Sequence, residues 1–417
     1  MKHGIVVGAG LAGLTCARRL EELGWSVSVL EAADAVGGRV RTDTLEGFRL
    51  DRGFQVLLTA YPAAQRWLDY DALDLQHFPA GAVVRVGGSW ERVADPRREA
   101  SSVLGSLAAD IGTFMDKVRV LKWAVQARHG CGDPDETKAE LSSLEALRQK
   151  GFSDAVIERF WRPWLSGIFL ESKLETSSRM LEFVFSQFAQ GGTAIPKAGM
   201  QAIPEQLASG LAEGAVELNQ TVAKVAADQV GLAAGSERRA DAVIVATDAS
   251  TAARFGLTVP EVSWREARCL YFAASRAPTA DGMLRLNGQG DGVINHLVTL
   301  SQVNPTLAPE DQPLVMVGVR PGIDLTPEEM ETAVRQQLRE WFDAEVDRWR
   351  LLRDSRIPEA LPSRKPLKQV AVVPNAAGIW RAGDYLANPS IQGAMAYGQQ
   401  VAEAVDRNQA DSAKTGD

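Results

Sequence analysis

The sequence predicts an α/β fold: a parallel-sheet domain interrupted by a second, mixed α+β domain that includes a helical part. Three observations carry this. An apolar run, a glycine turn, a helix-like stretch and a second β-branched run follow one another within residues 4–31. Helical periodicity then dominates residues 101–190, with little β signal. The β signal returns at 215–248 and again at 378–384, where a strand leads into a last helix.

The first unit opens with Ile5-Val6-Val7 and turns at Gly8, Gly10 and Gly13, spaced G-x-G-x-x-G. Leu11, Leu14, Leu20 and Leu23 fall mostly on one helical face, and Val27–Leu30 forms a second run ending in Glu31. This is a strand, a tight turn, a helix and a parallel strand. Gly8 permits the turn, Gly10 lets a pyrophosphate approach bare backbone, and Gly13 lets the helix pack close to the sheet. The helix N-terminus offers free N–H groups to phosphate, and Glu31 can accept from ribose hydroxyls. The dinucleotide contacts expected here are Gly8, Ala9, Gly10, Leu11, Ala12, Gly13, Glu31 and Ala32. Gly37-Gly38-Arg39 follows, then Arg41. An arginine after paired glycines can lie along the pyrophosphate, a feature that a nicotinamide-binding domain does not need.

On these residues the segment resembles the flavin-containing amine oxidase and phytoene desaturase superfamily, whose fingerprint continues G-G-R after the acidic residue. The resemblance implies FAD as cofactor, a Rossmann-like FAD-binding domain, and contacts from Gly37, Gly38 and Arg39.

Composition bounds the rest. With 417 residues, 45% of them hydrophobic, the chain can build a large core and two domains. A net charge of −8 argues against nucleic acid as a partner. No run of eighteen apolar residues suggests a membrane-spanning helix. Met1-Lys2-His3-Gly4 leads straight into the first strand, so no signal peptide is expected. Cys16, Cys131 and Cys269 are scattered, which fits a reducing cytoplasm and no disulfide framework. The four histidines are dispersed, so no metal site is expected. The polar residues 406–417 read as a frayed tail.

Taken in order, Gly47–Gln55 reads as a strand turning into a glycine-permitted loop. It is similar to the superfamily's G-x-x-x-D-x-G element, which runs past the flavin; a purely structural turn is the alternative. Residues 80–95 read as a hairpin turning at Gly87-Gly88. Ile111, Met115, Val118, Leu121 and Val125 recur at helical spacing with Lys117, Arg119, Lys122 and Arg128 interleaved. This is either an amphipathic face touching a membrane or, as expected here, a core-facing helix with solvated charges. His129–Lys138 reads as a loop. Phe160, Trp161, Trp164, Phe169, Phe183, Phe185 and Phe188 can line a flat apolar pocket or form a helical-domain core. The elements Arg162-Pro163…Gly167-Ile168-Phe169-Leu170 and Gly199-Met200…Ile203-Pro204 resemble the carotenoid-desaturase-like branch.

Short strands are expected at Val216–Leu218, Val222–Ala226 and Val230–Ala233, and a buried parallel strand within 239–247. By resemblance, Val222 lies where backbone contacts the adenine and Thr247 closes the sheet near the cofactor. Asn287–Gly292 is glycine-rich but lacks the dinucleotide spacing and reads as a hairpin loop. Thr326 is the N-cap of a helix running to Phe342, with Pro327 at its first position and Glu328-Glu329 in its first turn. Gly378–Asp384 is a strand ending in Gly383-Asp384. Ile391-Gln392-Gly393-Ala394 then opens a helix whose N-terminus can stabilise negative charge on a reduced flavin. The superfamily ends in a similar motif, which implies contacts from Gly383, Asp384, Ile391, Gln392 and Ala394.

Two departures weigh against an amine substrate. Leu386–Ser390 supplies no aromatic residue before the last helix. The stretch Glu266–Phe272 offers Arg268 where amine oxidases carry a lysine, which makes Arg268 the catalytic candidate. The resemblance implies an FAD-dependent oxidoreductase that takes a hydride from a hydrophobic, isoprenoid- or carotenoid-like substrate. The alternatives are a flavin amine oxidase, a tetrapyrrole-precursor oxidase, or a non-catalytic dinucleotide-binding protein. The FAD-binding domain is expected at 1–79, 191–262 and 366–417, and the substrate domain at 80–190 and 263–365. Cytoplasmic localisation is expected, with peripheral membrane contact as a further expectation; the oligomeric state is left open.

Overall fold

The computed structural model describes residues 1–94, 109–128 and 133–415. Its first layer is a five-stranded, all-parallel sheet in the order Val216–Glu217, Ser26–Leu30, His3–Val7, Ala242–Val245, Trp380–Arg381. Ile5, Val6, Val243, Ile244 and Val245 are fully buried. Burial on both faces is why these strands read as continuous apolar runs rather than alternating ones. Helix Leu11–Glu22 and the last helix, Ile391–Thr415, pack against one another. A Cβ on Gly398 would come within 2.2 Å of the Ala12 carbonyl oxygen. A three-stranded antiparallel sheet, Val222–Val225, Gln229–Leu232 and Glu237–Arg239, lies between the third and fourth of these strands in sequence.

The second layer is a seven-stranded sheet in the order Arg350–Ser363, Ser263–Ala273, Leu314–Val319, Ile294–Thr299, Leu284–Asn287, Gly81–Val86, Ser89–Ala94. It is antiparallel apart from the pairing of Leu284–Asn287 with Gly81–Val86. The Gly87-Gly88 hairpin and the loop at 288–293 form as expected. Helix Pro327–Phe342 covers one face through Met330, Val334, Leu338 and Trp341. It starts with a reciprocal capping box between Thr326 and Glu329, as the S/T-x-x-E pattern dictates.

The helical part holds Phe114–Ala127, Ser143–Gln149, a continuous run over 154–169 that contains a π turn at Ile157–Trp161, and Ser178–Gln190. A small sheet pairs Thr193–Pro196 with Leu57–Leu58 and Leu75–His77, bringing the chain back beside the first layer.

Two expectations fail. The tail is helical through Thr415, because Tyr397, Val401, Ala402 and Val405 are buried. Asp406 also accepts the Trp25 indole N–H at 2.9 Å. Helix Phe114–Ala127 buries Asp116, Trp123, Ala124 and Ala127, while Met115, Val118, Leu121 and Val125 face outward. Its apolar stripe is therefore not core-facing. Cys131, all of 95–108 and residues 129–132 of the loop expected at 129–138 lie outside the described residues.

Candidate active site

A cavity of about 1830 Å³ connects the two layers. Small-molecule pockets usually hold roughly 300–1,000 Å³, so this one has room for a dinucleotide and a second molecule. Gly8, Gly10, Leu11, Ala12, Glu31 and Ala32 line it from the first unit, followed by Gly37, Gly38 and Arg39. Val222 and Thr247 line it from the middle of the chain, and Gly383, Asp384, Ile391 and Ala394 from the end. The two distant halves of the predicted site thus share one wall.

Three predicted contacts are not on that wall. The Ala9 N–H donates to Glu31 Oε2 at 2.7 Å. Gly13 is pressed against the turn: a Cβ there would sit 2.1 Å from the Gly8 carbonyl oxygen. The Gln392 side-chain oxygen accepts the Ala63 N–H at 2.8 Å. These residues shape the wall from behind.

An ion pair welds the two ends together. Arg39 Nη2 lies 2.6 Å from Asp384 Oδ1, and Nη1 donates to the Ala360 carbonyl at 3.0 Å. The guanidinium also lies over the Trp264 ring, 5.6 Å from its centroid. Burial pulls the Arg39 pKa down, and Asp384 more than reverses that, so the cation is held above its usual value. Glu31 accepts from Ala9 and, at 2.9 Å, from Ala33. A carboxylate offers about four lone-pair sites, which leaves capacity for ribose hydroxyls.

The residues present fit a flavin dinucleotide. No side chain caps helix Leu11–Glu22, so its first N–H groups are left to a phosphate. A Cβ at Gly10 would meet no protein atom within 4 Å and would project into the cavity. Arg39 lines the same wall, with its charge paired to Asp384.

The Gly47–Gln55 element serves both readings. Arg52, Gly53, Phe54 and Gln55 line the cavity, whereas Asp51 is structural. Its carboxylate accepts from Thr42 Oγ1 at 2.5 Å and from the Met200 N–H at 3.0 Å. Burial raises its pKa to about 6 despite those bonds.

Beyond the glycine turn the wall is aromatic. Phe160, Trp161, Trp164, Phe169, Phe185 and Phe188 contribute to it. Phe183 instead stacks on Tyr61 at 5.8 Å. Trp161 and Phe185 are also core residues: Trp123 stacks on Phe185 at 4.0 Å and Phe152 packs on Trp161 at 5.3 Å. One aromatic block thus serves as core on one side and cavity wall on the other.

Arg268 is not part of the site. It is buried, paired with Asp354 (Nη2 to Oδ2, 2.5 Å), and donates to the Leu325 carbonyl at 2.7 Å. It ties strand Ser263–Ala273 to the start of helix Pro327–Phe342. Strand alternation puts its neighbour Ala267 on the cavity wall instead.

Residues 357–365 and His296 also line the cavity and were not anticipated. Only the proline-broken run Ile357–Pro366 hinted at the first of these. His296 takes a hydrogen bond from Asn295 Nδ2 to Nδ1 at 2.9 Å, and burial pulls its pKa to about 4. Folding must therefore strip a proton from this ring below its ordinary value near 6.5, so stability falls as pH drops toward 4. His296→Gln removes that cost. Between about pH 7.5 and about pH 5, its stability relative to wild type is expected to rise by about 2 kcal/mol. Denaturant midpoints at the two pH values measure this, and an unchanged difference would refute it.

The sequence profile described as "Flavin containing amine oxidoreductase" matches residues 11–406. The chain belongs to this family. Its cofactor is FAD and its chemistry is oxidoreduction. The similarity to the 15-cis-phytoene desaturase of Capsicum annuum is 24% identity over 63% of this chain and 48% of that protein. That to the coproporphyrinogen III oxidase of Propionibacterium freudenreichii is 27% over 40% and 32%. The chain therefore matches at most about half the length of these curated relatives. A putrescine oxidase variant shares the fold, with a TM-score of 0.71 at 17% identity over 97% of this chain and 99% of the other. The desaturase match supports the carotenoid-desaturase-like branch. Among the described residues no group of histidine, cysteine, aspartate or glutamate could hold a metal ion, and no helix is long and apolar enough to cross a membrane.

Proposed function

We propose that this protein removes hydrogen from a hydrophobic, isoprenoid- or carotenoid-like substrate, by desaturation or a related reaction. The observation that carries this is the aromatic and aliphatic continuation of the cavity past the glycine turn. In this reading residues 1–79, 191–262 and 366–417 hold the nucleotide, and residues 80–190 and 263–365 hold the substrate. Bound FAD supplies a two-electron acceptor for a hydride from the substrate. The protein's own work is placement. Gly10 and the N-terminus of helix Leu11–Glu22 hold the pyrophosphate, Glu31 the ribose, and Arg39 with Asp384 fix the two ends of the site. Phe54, Phe160, Trp164 and Phe188 orient an apolar body and exclude water. His296, neutral above about pH 4, adds no charge to that half.

An amine is disfavoured. Strand Ser263–Ala273 carries no lysine. Pro389 and Ser390 line the cavity where an aromatic cage would be needed, while Tyr385 is buried and does not line it. A tetrapyrrole precursor is the second reading. Arg265 lines the cavity and donates to the Phe169 carbonyl and Thr176 Oγ1, without an ion pair to any described carboxylate. It could meet a substrate carboxylate.

The test is anaerobic bleaching of the flavin band near 450 nm, with about one FAD expected per chain. Bleaching by 15-cis-phytoene in detergent micelles, but not by an amine panel, is expected. Bleaching by coproporphyrinogen alone would select the second reading, and bleaching by amines alone would overturn both. Peripheral contact with a membrane, from which an apolar substrate would come, completes the first reading.

A further inference from the structure

We infer that His296 selects the substrate: its Nε2–H is a neutral donor held for an oxygen (hydroxyl, ether or carbonyl) on an otherwise apolar isoprenoid body. The inference rests on the hydrophobic-substrate reading and narrows it from a hydrocarbon to an oxygen-bearing polyene. Every residue of strand Ile294–Thr299 is buried, yet one of them is a histidine. In the seven-stranded sheet His296 stands between Leu286 and Gly318 on the flanking strands. Leu286 lines the cavity with it. Gly318 makes room for the ring, since a Cβ there would come within 2.2 Å of His296 Cε1. A glycine inside a strand marks such a close approach. Gly167, in the helical run over 154–169, gives room on another side, where a Cβ would lie 3.2 Å from Nδ1. Phe54 is tilted against the ring, with centroids 5.5 Å apart. The imidazole, 7% exposed, therefore has one place to sit.

One neighbour fixes which nitrogen carries the proton. Asn295 Nδ2 donates to the Pro163 carbonyl at 2.9 Å. A carbonyl oxygen only accepts, so this bond settles which end of the amide is nitrogen. The same Nδ2 lies 2.9 Å from His296 Nδ1. An amide nitrogen only donates, so Nδ1 accepts, and in the neutral ring the proton sits on Nε2. Burial keeps the ring neutral above about pH 4. Nε2 has no hydrogen-bond partner among the described residues. Buried polar groups in folded proteins are nearly always bonded, so this donor lacks the acceptor that a ligand can bring.

The surroundings say which acceptor. Phe54, Trp164, Leu284 and Leu286 line the cavity together with His296. A neutral donor among apolar walls suits a neutral oxygen. An ammonium only donates and would meet a second donor. A hydrocarbon filling this half would shut water away from the ring and leave the N–H unpaired, at a cost in affinity. An oxygen at that point removes the cost. Sites built to bond a polar group reject the analogue that lacks it far more strongly than apolar pockets reject a change of size.

The test compares 15-cis-phytoene with its monohydroxylated derivative, in which water has added across a terminal double bond. Both are given in detergent micelles to the FAD-loaded protein without oxygen. Wild type is expected to reach half-maximal flavin reduction at a concentration at least about tenfold lower with the hydroxylated polyene. His296→Leu should erase that preference while retaining FAD: half-saturation rises for the hydroxylated polyene and falls for phytoene, because no N–H is left to bury. The limiting rates should move little, as expected for a contact made equally before and during reaction. His296→Gln keeps a donor and should keep part of the preference. Imidazole nitrogen NMR reads the same site without turnover. Of the four histidines, the one whose signals vanish in His296→Leu should carry its proton on Nε2 at neutral pH. That proton's resonance should move with the hydroxylated polyene and stay with phytoene. Flavin reduction by neither polyene, with the resonance still moved, would fail the substrate reading and spare the donor. A resonance moved by neither polyene, or a proton on Nδ1, would overturn the donor. So would equal half-saturation for the two polyenes in wild type, a preference that survives His296→Leu, or a His296→Gln protein as unselective as His296→Leu. Loss of FAD from His296→Leu would also overturn it, since the ring would then serve the cofactor.

Discussion

Gly10→Val is expected to yield a folded, colourless protein. Gly10 has φ of −74° and an extended ψ, so valine needs no unusual backbone. Its Cβ would touch no protein atom, so the core does not object. The valine methyl groups would instead fill the space through which a pyrophosphate reaches the N-terminus of helix Leu11–Glu22. FAD content should fall from about one per chain to below about a tenth, read as flavin absorbance against protein, while the melting behaviour matches that of wild-type apoprotein. Full flavin retention would remove the assignment of this turn to the cofactor. Gly13→Ala is the counterpart. Its Cβ would lie 2.1 Å from the Gly8 carbonyl oxygen, so it should damage folding itself. The two glycines share a motif, yet one faces the ligand and the other faces the chain.

Arg268→Ala should cost about 3–5 kcal/mol, because it strands Asp354 as a buried charge without its partner. Chemical denaturation measures the loss. Per folded molecule, flavin content and the rate of flavin reduction should stay near wild type, since the guanidinium lies off the cavity wall. The double variant Arg268→Met/Asp354→Leu should recover much of the stability, as apolar replacement of a buried pair often does. A variant that folds normally but reduces flavin a hundredfold more slowly would restore Arg268 to the chemistry.

Local signals were read well. The strand–turn–helix–strand of residues 3–30 and the capped helix Pro327–Phe342 are dictated by neighbours within a few residues. So is the hairpin turning at Gly87-Gly88, and each formed where spacing and capping placed it. Faces were read less well. The periodicity of Met115, Val118, Leu121 and Val125 defines a stripe, but nothing local says whether the core lies under it. Trp123, Ala124 and Ala127 claim the inward side by packing within the helical part. The tail misled for the same reason: its polar composition hides Asp406 and Gln409, whose partners Trp25 and Asp241 lie more than a hundred residues away. At Arg268 the error was a single strand position, which in a sheet exchanges one face for the other.

The amino-acid order by itself determined the parallel nucleotide-binding unit, the two glycine-bearing ends and the family. Each of these is written in short-range spacing that backbone geometry must obey. Only the tertiary structure decided that Arg39 meets Asp384 and that Ala267 rather than Arg268 faces the cavity. It also decided that one helix shows its apolar side to the outside. Those outcomes depend on which distant surface a side chain meets, and burial and charge pairing select that surface only once the whole chain has folded.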